Sequence, residues 1–425
     1  MKQYDFDLVI VGGGLVGGCL ALDLAKACPH LKLLVLEQKA LEPLSAIRGS
    51  DYHDFNQKTL ALNKGAQLFF EQLGLWPEDL KPSDFLTPIK AVQISMQNAL
   101  GQFNFTPLKK YNNNDNNTHV LGYIIQSKLL EKMIFEKKNQ YQEQITWVQP
   151  IEPIADQLML KAIPSGWQVT YQDKLQNKRV QVQTPCVIGS DGVNSIIKKN
   201  LGISDVVSDY GHVAMIANVK LKEEHDYIAY ERFTQEGGAM ALLPYGPSDN
   251  LRQMTLVLTM PLQQAKGYQE LSDQDLCLKL SKLMGGRFVF EAISQRITVP
   301  LIMKIATHQV ARRAILMGNA AHFLHPIAAQ GFNLSIQDIA SLIQIIHKNI
   351  MQNSDRAYLG SSAMLSDYLK ARAETQMAYI QATDKIARYY ASQAFPSWLK
   401  GMSLSCLDSM PFMKHYFTQK SMGIV

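Results

Sequence analysis

Three glycines near the start of the chain have the spacing of a turn that binds a pyrophosphate. Gly12, Gly14 and Gly17 form G-x-G-x-x-G after an apolar run, and Leu15 and Val16 begin the helix predicted to follow. Gly12 can adopt the positive φ of a tight turn, Gly14 lets a phosphate approach the backbone, and Gly17 lets the helix pack closely on the strand. The free N–H groups and the positive dipole end of that helix then face the anion.

An acidic residue follows at the distance that such a turn requires. Glu37 ends the second predicted strand, about twenty residues after Gly17. A carboxylate at this point accepts hydrogen bonds from ribose hydroxyls of a dinucleotide. The alternative is a glycine-rich turn that binds nothing, and the complete pattern of strand, turn, helix, strand and acid argues against it.

Two later apolar strands also deliver polar residues at their carboxyl ends. One leads into Asp191-Gly192 and the other into Gly318-Asn319. In a parallel sheet, such ends lie along the edge where α/β proteins bind ligands. Taken alone, Asp191-Gly192 is explained better as a simple turn.

The starts of predicted helices supply further candidates for cofactor contacts. A long helix is predicted from Gly331, which places the backbone N–H groups of Phe332 and Asn333 where they can stabilise negative charge. Lys58 lies at the start of a helix predicted over 57–73 and could reach a phosphate, although a solvated lysine is the favoured interpretation. Gln126 begins the next predicted helix.

Two histidines near the third strand could bind a metal or move a proton. His322 and His325 are three residues apart, but no third ligand with suitable spacing follows, so no metal site is predicted. For each histidine a structural hydrogen bond is favoured over catalysis. The five cysteines are scattered without a C-x-x-C pair, which argues for a reducing compartment and against a disulfide framework.

Composition sets limits on the class of protein. The chain has 425 residues, of which 47% are hydrophobic, and a formal net charge of +5. This length is enough for two or three domains. No basic stripe with interleaved aromatics is present, so nucleic-acid binding is not expected. No signal peptide and no apolar run of roughly 18–20 residues is found. We expect a cytoplasmic protein, with peripheral contact at the inner face of a membrane as a further expectation.

The middle of the chain predicts an antiparallel sheet that could form one wall of a pocket. Strands are predicted between 212 and 260, each bounded by turn residues. Met215, Phe233 and Leu242 are candidates for its apolar lining, although core packing is the default for each. The C-terminal segment 398–414 is rich in Trp, Met and Phe beside lysines. This composition favours a helix packed on the sheet or a subunit interface slightly over a cover of the pocket or a membrane-surface patch.

Taken together, these motifs resemble the FAD-dependent aromatic hydroxylases, also called group A flavoprotein monooxygenases. That family has a G-x-G-x-x-G, a D-G and a G-D motif leading into P-x-x-G-Q-G-x-N, in this order. Within it, the chain is most similar to the ubiquinone-biosynthesis branch, on the evidence of these segments: 318–321, 324–328, 330–334 and Glu231-Arg232-Phe233-Thr234.

The resemblance implies an α/β fold. It consists of a Rossmann-like FAD-binding domain, an inserted antiparallel β-sheet substrate domain and C-terminal helices. The FAD-binding domain is expected in three parts, with the substrate domain and a helical region between and after them. The expected boundaries are 1–75, 121–205 and 306–355 for the FAD-binding parts, 76–120 and 206–305 for the substrate domain, and 356–425 for the helical region.

The resemblance also implies the chemistry. FAD would contact the glycine turn, Glu37, Asp191 and Asn319, while Pro326, Ile327 and Ala328 would border flavin and substrate. NAD(P)H would be the co-substrate. A flavin hydroperoxide would hydroxylate the ring of a polyprenylated phenol with O₂, and other ubiquinone-biosynthesis proteins are expected partners.

Three positions depart from the wider family. Asn319 stands where most members have Asp, although the quinone branch tends to carry Asn there. Lys58 replaces an arginine, which keeps the charge without the planar fork, and Ala329 replaces a glycine beside the flavin.

Two alternative functions stay open at this point. One is an FAD-dependent reductase of an isoprenoid lipid, which would oxidise NAD(P)H without inserting oxygen. The other is a flavin-free prenyl-group binding protein on the same fold.

Overall fold

The computed structural model describes residues 4–41, 55, 58–76, 86–107, 120–152, 159–246, 250–324, 331–353, 356–391 and 396–423. The candidates His325, Pro326, Ile327 and Ala328 therefore lie outside the described residues.

The strands in these ranges form four sheets. In chain order they are β1 (Leu8–Val11), β2 (Leu33–Leu36), β3 (Thr59–Asn63), β4 (Leu86–Ile89), β5 (Ala91–Met96), β6 (Gln102–Phe105), β7 (Gly122–Gln126), β8 (Ile145–Val148), β9 (Ile151–Glu152), β10 (Met159–Ile163), β11 (Gly166–Asp173), β12 (Lys178–Thr184), β13 (Val187–Gly189), β14 (Asp205–Leu221), β15 (Ile228–Phe233), β16 (Ala239–Pro244), β17 (Gln253–Pro261), β18 (Phe290–Ile293), β19 (Ile297–Ala306), β20 (Val310–Ala311), β21 (Ala314–Leu316) and β22 (His322–Phe323).

The helices connect and cover these sheets. They are α1 (Leu15–Ala27), α2 (Lys64–Gln72), α3 (Ser127–Lys137), α4 (Ile196–Asn200), α5 (Leu262–Glu270), α6 (Asp273–Leu283), α7 (Gly331–Asn353), α8 (Ser362–Ala391), α9 (Ser397–Asp408) and α10 (Pro411–Met422).

A six-stranded sheet carries the predicted strand tips. Its order is β20-β21-β13-β1-β2-β8, and all neighbours are parallel except β20 and β21. The strands β1, β2, β13 and β21 are buried along their whole length, which explains their unbroken apolar sequences. The carboxyl ends of β21, β13, β1 and β2 therefore lie side by side.

Each face of this sheet packs on a different layer. Leu8 and Ile10 point into a core shared with helices α1 and α7. Val9 and Val11 point the other way and pack with Val169, from the sheet formed by β9, β10, β11 and β12. This alternation follows from the two-residue period of a strand.

A nine-stranded sheet forms the second large layer. Its order is β22-β19-β14-β17-β16-β15-β5-β6, with β18 paired to β14. One face packs on α5 and α6. The other face meets the small sheet β3-β7-β4, where the hydroxyls of Thr59 and Thr255 lie 3.0 Å apart. The α/β fold with an additional large sheet and C-terminal helices is thus confirmed.

One predicted helix is wrong in its first part. The stretch predicted as a helix over 57–73 begins as the strand β3, which pairs antiparallel with β7, and only then continues as α2. Asn63 marks the change, because its side chain accepts a hydrogen bond from the N–H of Ala66 as an N-cap. Pairing with β7 outweighs the helical pattern of the local sequence.

The C-terminal helices α9 and α10 pack beside β5 and β6. Leu404 and Met422 are buried there, in one core cluster with Phe103 of β6. Within the part of the chain that the structure describes, no helix is long and apolar enough to cross a membrane.

Candidate FAD site

The glycine turn between β1 and α1 has the geometry of a phosphate cradle. Gly12 has φ +96°, and a Cβ atom there would lie 2.5 Å from the carbonyl oxygen of Ser190. A Cβ atom on Gly17 would lie 1.8 Å from the carbonyl oxygen of Gly12. At Gly14, in contrast, no heavy atom of the described residues lies within 4 Å of the Cβ position. The turn is therefore packed closely on two sides and open at Gly14.

The tip of β13 lies directly against this turn. Ser190, which the sequence motifs do not single out, donates its hydroxyl hydrogen to the carbonyl oxygen of Gly12 at 2.8 Å. Oδ2 of Asp191 accepts hydrogen bonds from the N–H groups of Ile196 and Ile197, at 2.6 and 3.3 Å. The small polar residues after an apolar strand were the available signal for this contact.

The second carboxylate oxygen of Asp191 is available to accept a hydrogen bond. Its Oδ1 is buried and has no hydrogen-bond partner among the described residues. Burial raises the pKa of this carboxyl, although hydrogen bonds from Ser195 and from backbone N–H groups act in the opposite direction. A buried acceptor without a partner is costly unless a ligand supplies a donor.

The tip of β21 lies on the other side of the first helix turn. Gly318 has φ +61°, and a Cβ atom there would lie 3.0 Å from a methyl carbon of Val16. Asn319 follows in a short 3₁₀ turn and is exposed. The structure therefore brings Gly318 and Asn319 to the same edge as Gly12 and Asp191.

Glu37 lies at the end of β2 with its side chain held in place. Oε2 accepts a hydrogen bond from the N–H of Gly13 at 2.6 Å, and Oε1 accepts one from the N–H of Lys39 at 2.8 Å. The ring of Trp147 closes one side, 2.6 Å from the Cβ position of Gly13. Each carboxylate oxygen can accept a second hydrogen bond, which leaves capacity for ribose hydroxyls.

The start of α7 is open at its first residue and anchored at its third. At Gly331, no described heavy atom lies within 4 Å of the Cβ position. Phe332 stacks on Phe70, with ring centroids 6.4 Å apart. The Asn333 side chain accepts from the N–H of Asn63 at 3.0 Å. The side chains of Phe332 and Asn333 thus fix the start of the helix. Their backbone N–H groups can donate hydrogen bonds to a ligand.

Lys58 and Gln126 lie together at the paired ends of β3 and β7. The carbonyl oxygen of Lys58 accepts from the N–H of Ser127 at 3.0 Å, and its side chain is exposed. Gln126 is buried and donates its side-chain N–H to the hydroxyl of Tyr245 at 3.0 Å. Its side chain therefore ties β7 to the nine-stranded sheet.

His322 belongs to a buried polar cluster. Its Nε2 lies 2.8 Å from Oδ2 of Asp338, and Oδ1 of Asp338 accepts hydrogen bonds from Arg372 and Gln376 at 2.7 and 2.8 Å. Burial opposes ionisation of Asp338, but the hydrogen bond and charge of His322 and the charge of Arg372 outweigh it and hold the pKa of Asp338 below its usual value. The cluster joins the β21 tip to α7 and α8.

The residues at this edge fit an extended dinucleotide with a flavin. The open position at Gly14 suits a pyrophosphate, and the buried Oδ1 of Asp191 needs a donor such as a ribitol hydroxyl. Glu37 lies where it could accept hydrogen bonds from the ribose at the adenosine end. Within the described residues no group of His, Cys, Asp or Glu is arranged to hold a metal.

Comparison with protein families supports the same ligand. The family described as "FAD binding domain" matches residues 5–382. The chain belongs to this family. FAD as the cofactor is thereby confirmed, and with it the resemblance to flavoprotein monooxygenases.

Individual relatives are distant but cover the chain almost completely. The mitochondrial ubiquinone biosynthesis monooxygenase COQ6 of Dictyostelium discoideum is 22% identical, over 99% of this chain and 92% of the relative. The ubiquinone hydroxylase UbiL of Rhodospirillum rubrum is 25% identical, over 98% of this chain and 89% of the relative.

Solved structures agree on the fold. PqsL, a probable FAD-dependent monooxygenase of Pseudomonas aeruginosa, superposes with a TM-score of 0.69 at 17% identity, over 94% of this chain and 99% of that one. The p-nitrophenol 4-monooxygenase PnpA of Pseudomonas putida DLL-E4 gives a TM-score of 0.69 at 13% identity, covering 100% of both chains.

Two of the predicted pocket residues lie on the wrong face of the nine-stranded sheet. Met215 and Leu242 are buried in the core against α5 and α6, with exposures of 1% and 0%. Phe233 lies on the opposite face, in the cluster that includes Ile124 of β7. The prediction for Met215 and Leu242 is wrong because strand alternation sends them away from the FAD-binding side.

Proposed function

We propose that this flavoprotein hydroxylates the aromatic ring of a polyprenylated phenol in ubiquinone biosynthesis, with NAD(P)H as the electron donor. The observation that carries the proposal is the common edge at which Gly14, Asp191 and Asn319 meet in a chain of the FAD binding domain family. Relatives named as ubiquinone hydroxylases support the choice of substrate.

Each residue at the edge has a defined task in this proposal. The turn from Gly12 to Gly17 binds the pyrophosphate, and Glu37 binds the adenosine ribose. Asp191 and Asn319 accept hydrogen bonds from the ribitol, for which Oδ1 of Asp191 is already buried and unpartnered among the described residues. The N-terminus of α7 stabilises negative charge on the reduced ring system.

The cofactor and the protein divide the chemistry. When bound, FAD supplies the redox chemistry with NAD(P)H and O₂, so that one oxygen atom enters the ring and the other leaves as water. The protein orients the phenol and excludes water. The half-buried apolar face of the nine-stranded sheet, with Ile216 and Val257, suits that second task.

Extraction of quinone precursors from a strain that lacks this protein tests the proposal. The expected result is an accumulated polyprenylated phenol that lacks one ring oxygen, and restoration of the quinone by the wild-type gene. An unchanged quinone pool would contradict the proposal. Loss of a reduced isoprenoid lipid without loss of ring oxygen would favour the reductase instead.

We also infer that α9 and α10 make a peripheral contact with an anionic membrane, which would give access to such a substrate. Their outer surface, continued by the nearby β5–β6 turn, exposes large apolar side chains: Leu100, Trp398, Met402, Phe412 and Tyr416. Lys420 lies on the same helix as Phe412, and so does Lys414, which is paired with Asp408 at 2.9 Å. Aromatic and apolar residues beside lysines are typical of helices that lie in the interface plane.

Sedimentation with lipid vesicles tests this contact. We expect binding to vesicles that contain phosphatidylglycerol, and loss of most binding when Trp398 and Phe412 are both replaced by Ser. Leu175→Ser is the matched control, because Leu175 is 78% exposed in a distant hairpin turn. Equal binding of all three proteins would contradict the inference.

A further inference from the structure

One carboxylate lies on the face of the nine-stranded sheet that is turned toward the FAD-binding part of the chain. Glu231 is on β15 between Ala229 and Phe233, which are both buried on that face. Strand alternation sends the neighbours Tyr230 and Arg232 to the opposite face, and Tyr230 packs in the core there.

The sheet register places Glu231 in a row of apolar residues that crosses five strands. Its cross-strand neighbours are Ala241 on β16 and Ile94 on β5. Beyond Ala241 the row continues through Val257 on β17 to Ile216 on β14. All five side chains are half-buried. A carboxylate in such an apolar row is poorly solvated, and a ligand that donates a hydrogen bond to it would reduce that cost.

The adjoining part of the face is covered by the strands next to the FAD site. Thr255 contacts Thr59 of β3 at 3.0 Å, and Tyr245 accepts from Gln126 of β7. The same strand β3 contacts the start of α7, because Asn333 donates to the carbonyl oxygen of Ala61 at 3.1 Å. The row of Glu231 therefore lies beside the strand that links the sheet to the N-terminus of α7.

Among the residues that the structure describes, the Glu231 carboxylate has no hydrogen-bond or ion-pair partner that would explain its position. Burial raises its pKa to about 7, and no hydrogen bond or neighbouring charge contributes. Of the described titratable groups on this face, Tyr245 is hydrogen-bonded to Gln126 and Lys58 is exposed. His212 on β14 is hydrogen-bonded to the carbonyl oxygens of Tyr210 and Gly237. Helices α9 and α10 also pack here, and their charged groups include the buried Lys400 and the ion pair of Asp408 with Lys414. A carboxyl group with these properties can exchange a proton with a ligand near neutral pH.

We propose that Glu231 binds the phenolic hydroxyl of the substrate and acts as its proton acceptor, an inference that rests on the proposed hydroxylase function. The carboxylate accepts a hydrogen bond from the phenol O–H. On proton transfer, the O–H bond of the phenol breaks, an O–H bond to Glu231 forms, and the electron pair stays on the phenol oxygen. The ring becomes richer in electrons, and the proton returns to that oxygen when the product leaves.

Binding of a phenol and of its methyl ether tests this role without turnover. The probes are a short-chain 2-prenylphenol and the corresponding anisole, titrated into the FAD-loaded protein while the flavin absorbance is followed. We expect the wild type to prefer the phenol by about ten- to a hundredfold, as for a hydrogen bond to a charged group. The preference should grow as the pH rises through 7.

Two variants complete the experiment. Glu231→Gln keeps the shape of the side chain and should lose most of the preference for the phenol at every pH. Glu236→Gln is the matched control, because Glu236 is exposed in the turn after β15, and it should behave like the wild type. Turnover with the phenol should fall in Glu231→Gln and not in Glu236→Gln.

The outcomes separate this inference from the proposed function. A Glu231→Gln protein that keeps the full preference, or a wild type without one, overturns the role of Glu231 even if ring hydroxylation is observed. A preference that depends on Glu231 without any oxygen insertion supports the binding role and contradicts the hydroxylase. A wild type that binds neither probe overturns both.

Discussion

A Cβ atom on Gly17 would lie 1.8 Å from the carbonyl oxygen of Gly12, whereas a Cβ atom on Gly14 would meet no described heavy atom within 4 Å. The first contact joins helix α1 to strand β1, and the second position is open for a ligand. Two glycines of one motif therefore have different physical reasons to be glycine.

This difference predicts that only one of the two substitutions lowers stability. Gly14→Val should keep the thermal stability of the flavin-free protein and abolish FAD binding, because the side chain fills the space for the pyrophosphate. Gly17→Val should lose both, with a destabilisation of about 1–3 kcal/mol or more from overpacking. Thermal unfolding and the FAD content per chain measure the two effects. A Gly14→Val protein with stoichiometric FAD would refute the placement of the pyrophosphate.

The two carboxylate oxygens of Asp191 have different roles, so substitutions of this residue should affect FAD binding and stability separately. Asp191→Asn should keep the hydrogen bonds to the start of α4 but weaken FAD binding by roughly tenfold, because it loses the charge-assisted bond to a hydroxyl. Asp191→Ala should also lose about 1 kcal/mol of stability, since it removes the acceptor for the first N–H groups of α4. Fluorescence titration with FAD and thermal unfolding give both numbers. Unchanged affinity in both variants would speak against a ribitol contact at Oδ1.

The buried pair of His322 and Asp338 predicts a large effect on stability. Asp338→Asn should destabilise the fold by about 3–5 kcal/mol at neutral pH, because it leaves Arg372 buried without its counter-charge. Chemical denaturation measures the change. Glu270→Gln is the control, since its ion pair with Lys266 is exposed and should contribute less than about 1 kcal/mol.

The same pair predicts how the stability of the fold changes in acid. The pKa of Asp338 is held below its usual value, so its contribution is present above pH 3.8 and is lost as the pH falls through the lower, folded-state pKa. The wild type should therefore lose its advantage over Asp338→Asn in strong acid. A gap between the two proteins that stays constant down to complete acid unfolding would contradict the assigned charge state.

Glu231 predicts the opposite pH dependence. Its pKa is raised from 4.5 to about 7 in the folded protein, so the folded state favours the protonated form. Stability should be highest below pH 4.5 with respect to this group and should fall as the pH rises through 7. Relative to Glu231→Gln, the melting temperature of the wild type should drop over this range. Parallel curves for the two proteins would show that Glu231 is not desolvated.

The sequence was sufficient to predict the strand tips because they depend on local chemistry. An unbroken apolar strand followed by glycine, as before Gly12 and Gly318, is buried and parallel, and the ends of such strands share an edge. The contacts that these tips make with one another cannot be predicted in the same way. The contact of Gly318 with Val16 depends on strand order, which no local pattern contains.

The errors have physical causes of the same kind. The local sequence predicts a helix at Thr59 and Leu60, but pairing with β7 makes them a strand. Met215 and Leu242 alternate with their neighbours as expected, yet only the packing of α5 and α6 decides which face becomes the core. The signal for Glu231 was present, since it is the one acidic residue of β15, but its surroundings come from four other strands.

Oxygen transfer from labelled O₂ tests the central claim most directly. The FAD-loaded protein is incubated with NADPH, a short-chain 2-prenylphenol and O₂ that carries a heavy oxygen isotope. The mass of the product is then measured by mass spectrometry. We predict one labelled oxygen atom in the ring. Oxidation of NADPH that yields only hydrogen peroxide and unchanged phenol would contradict the assignment of this chain as an aromatic hydroxylase of prenylated phenols.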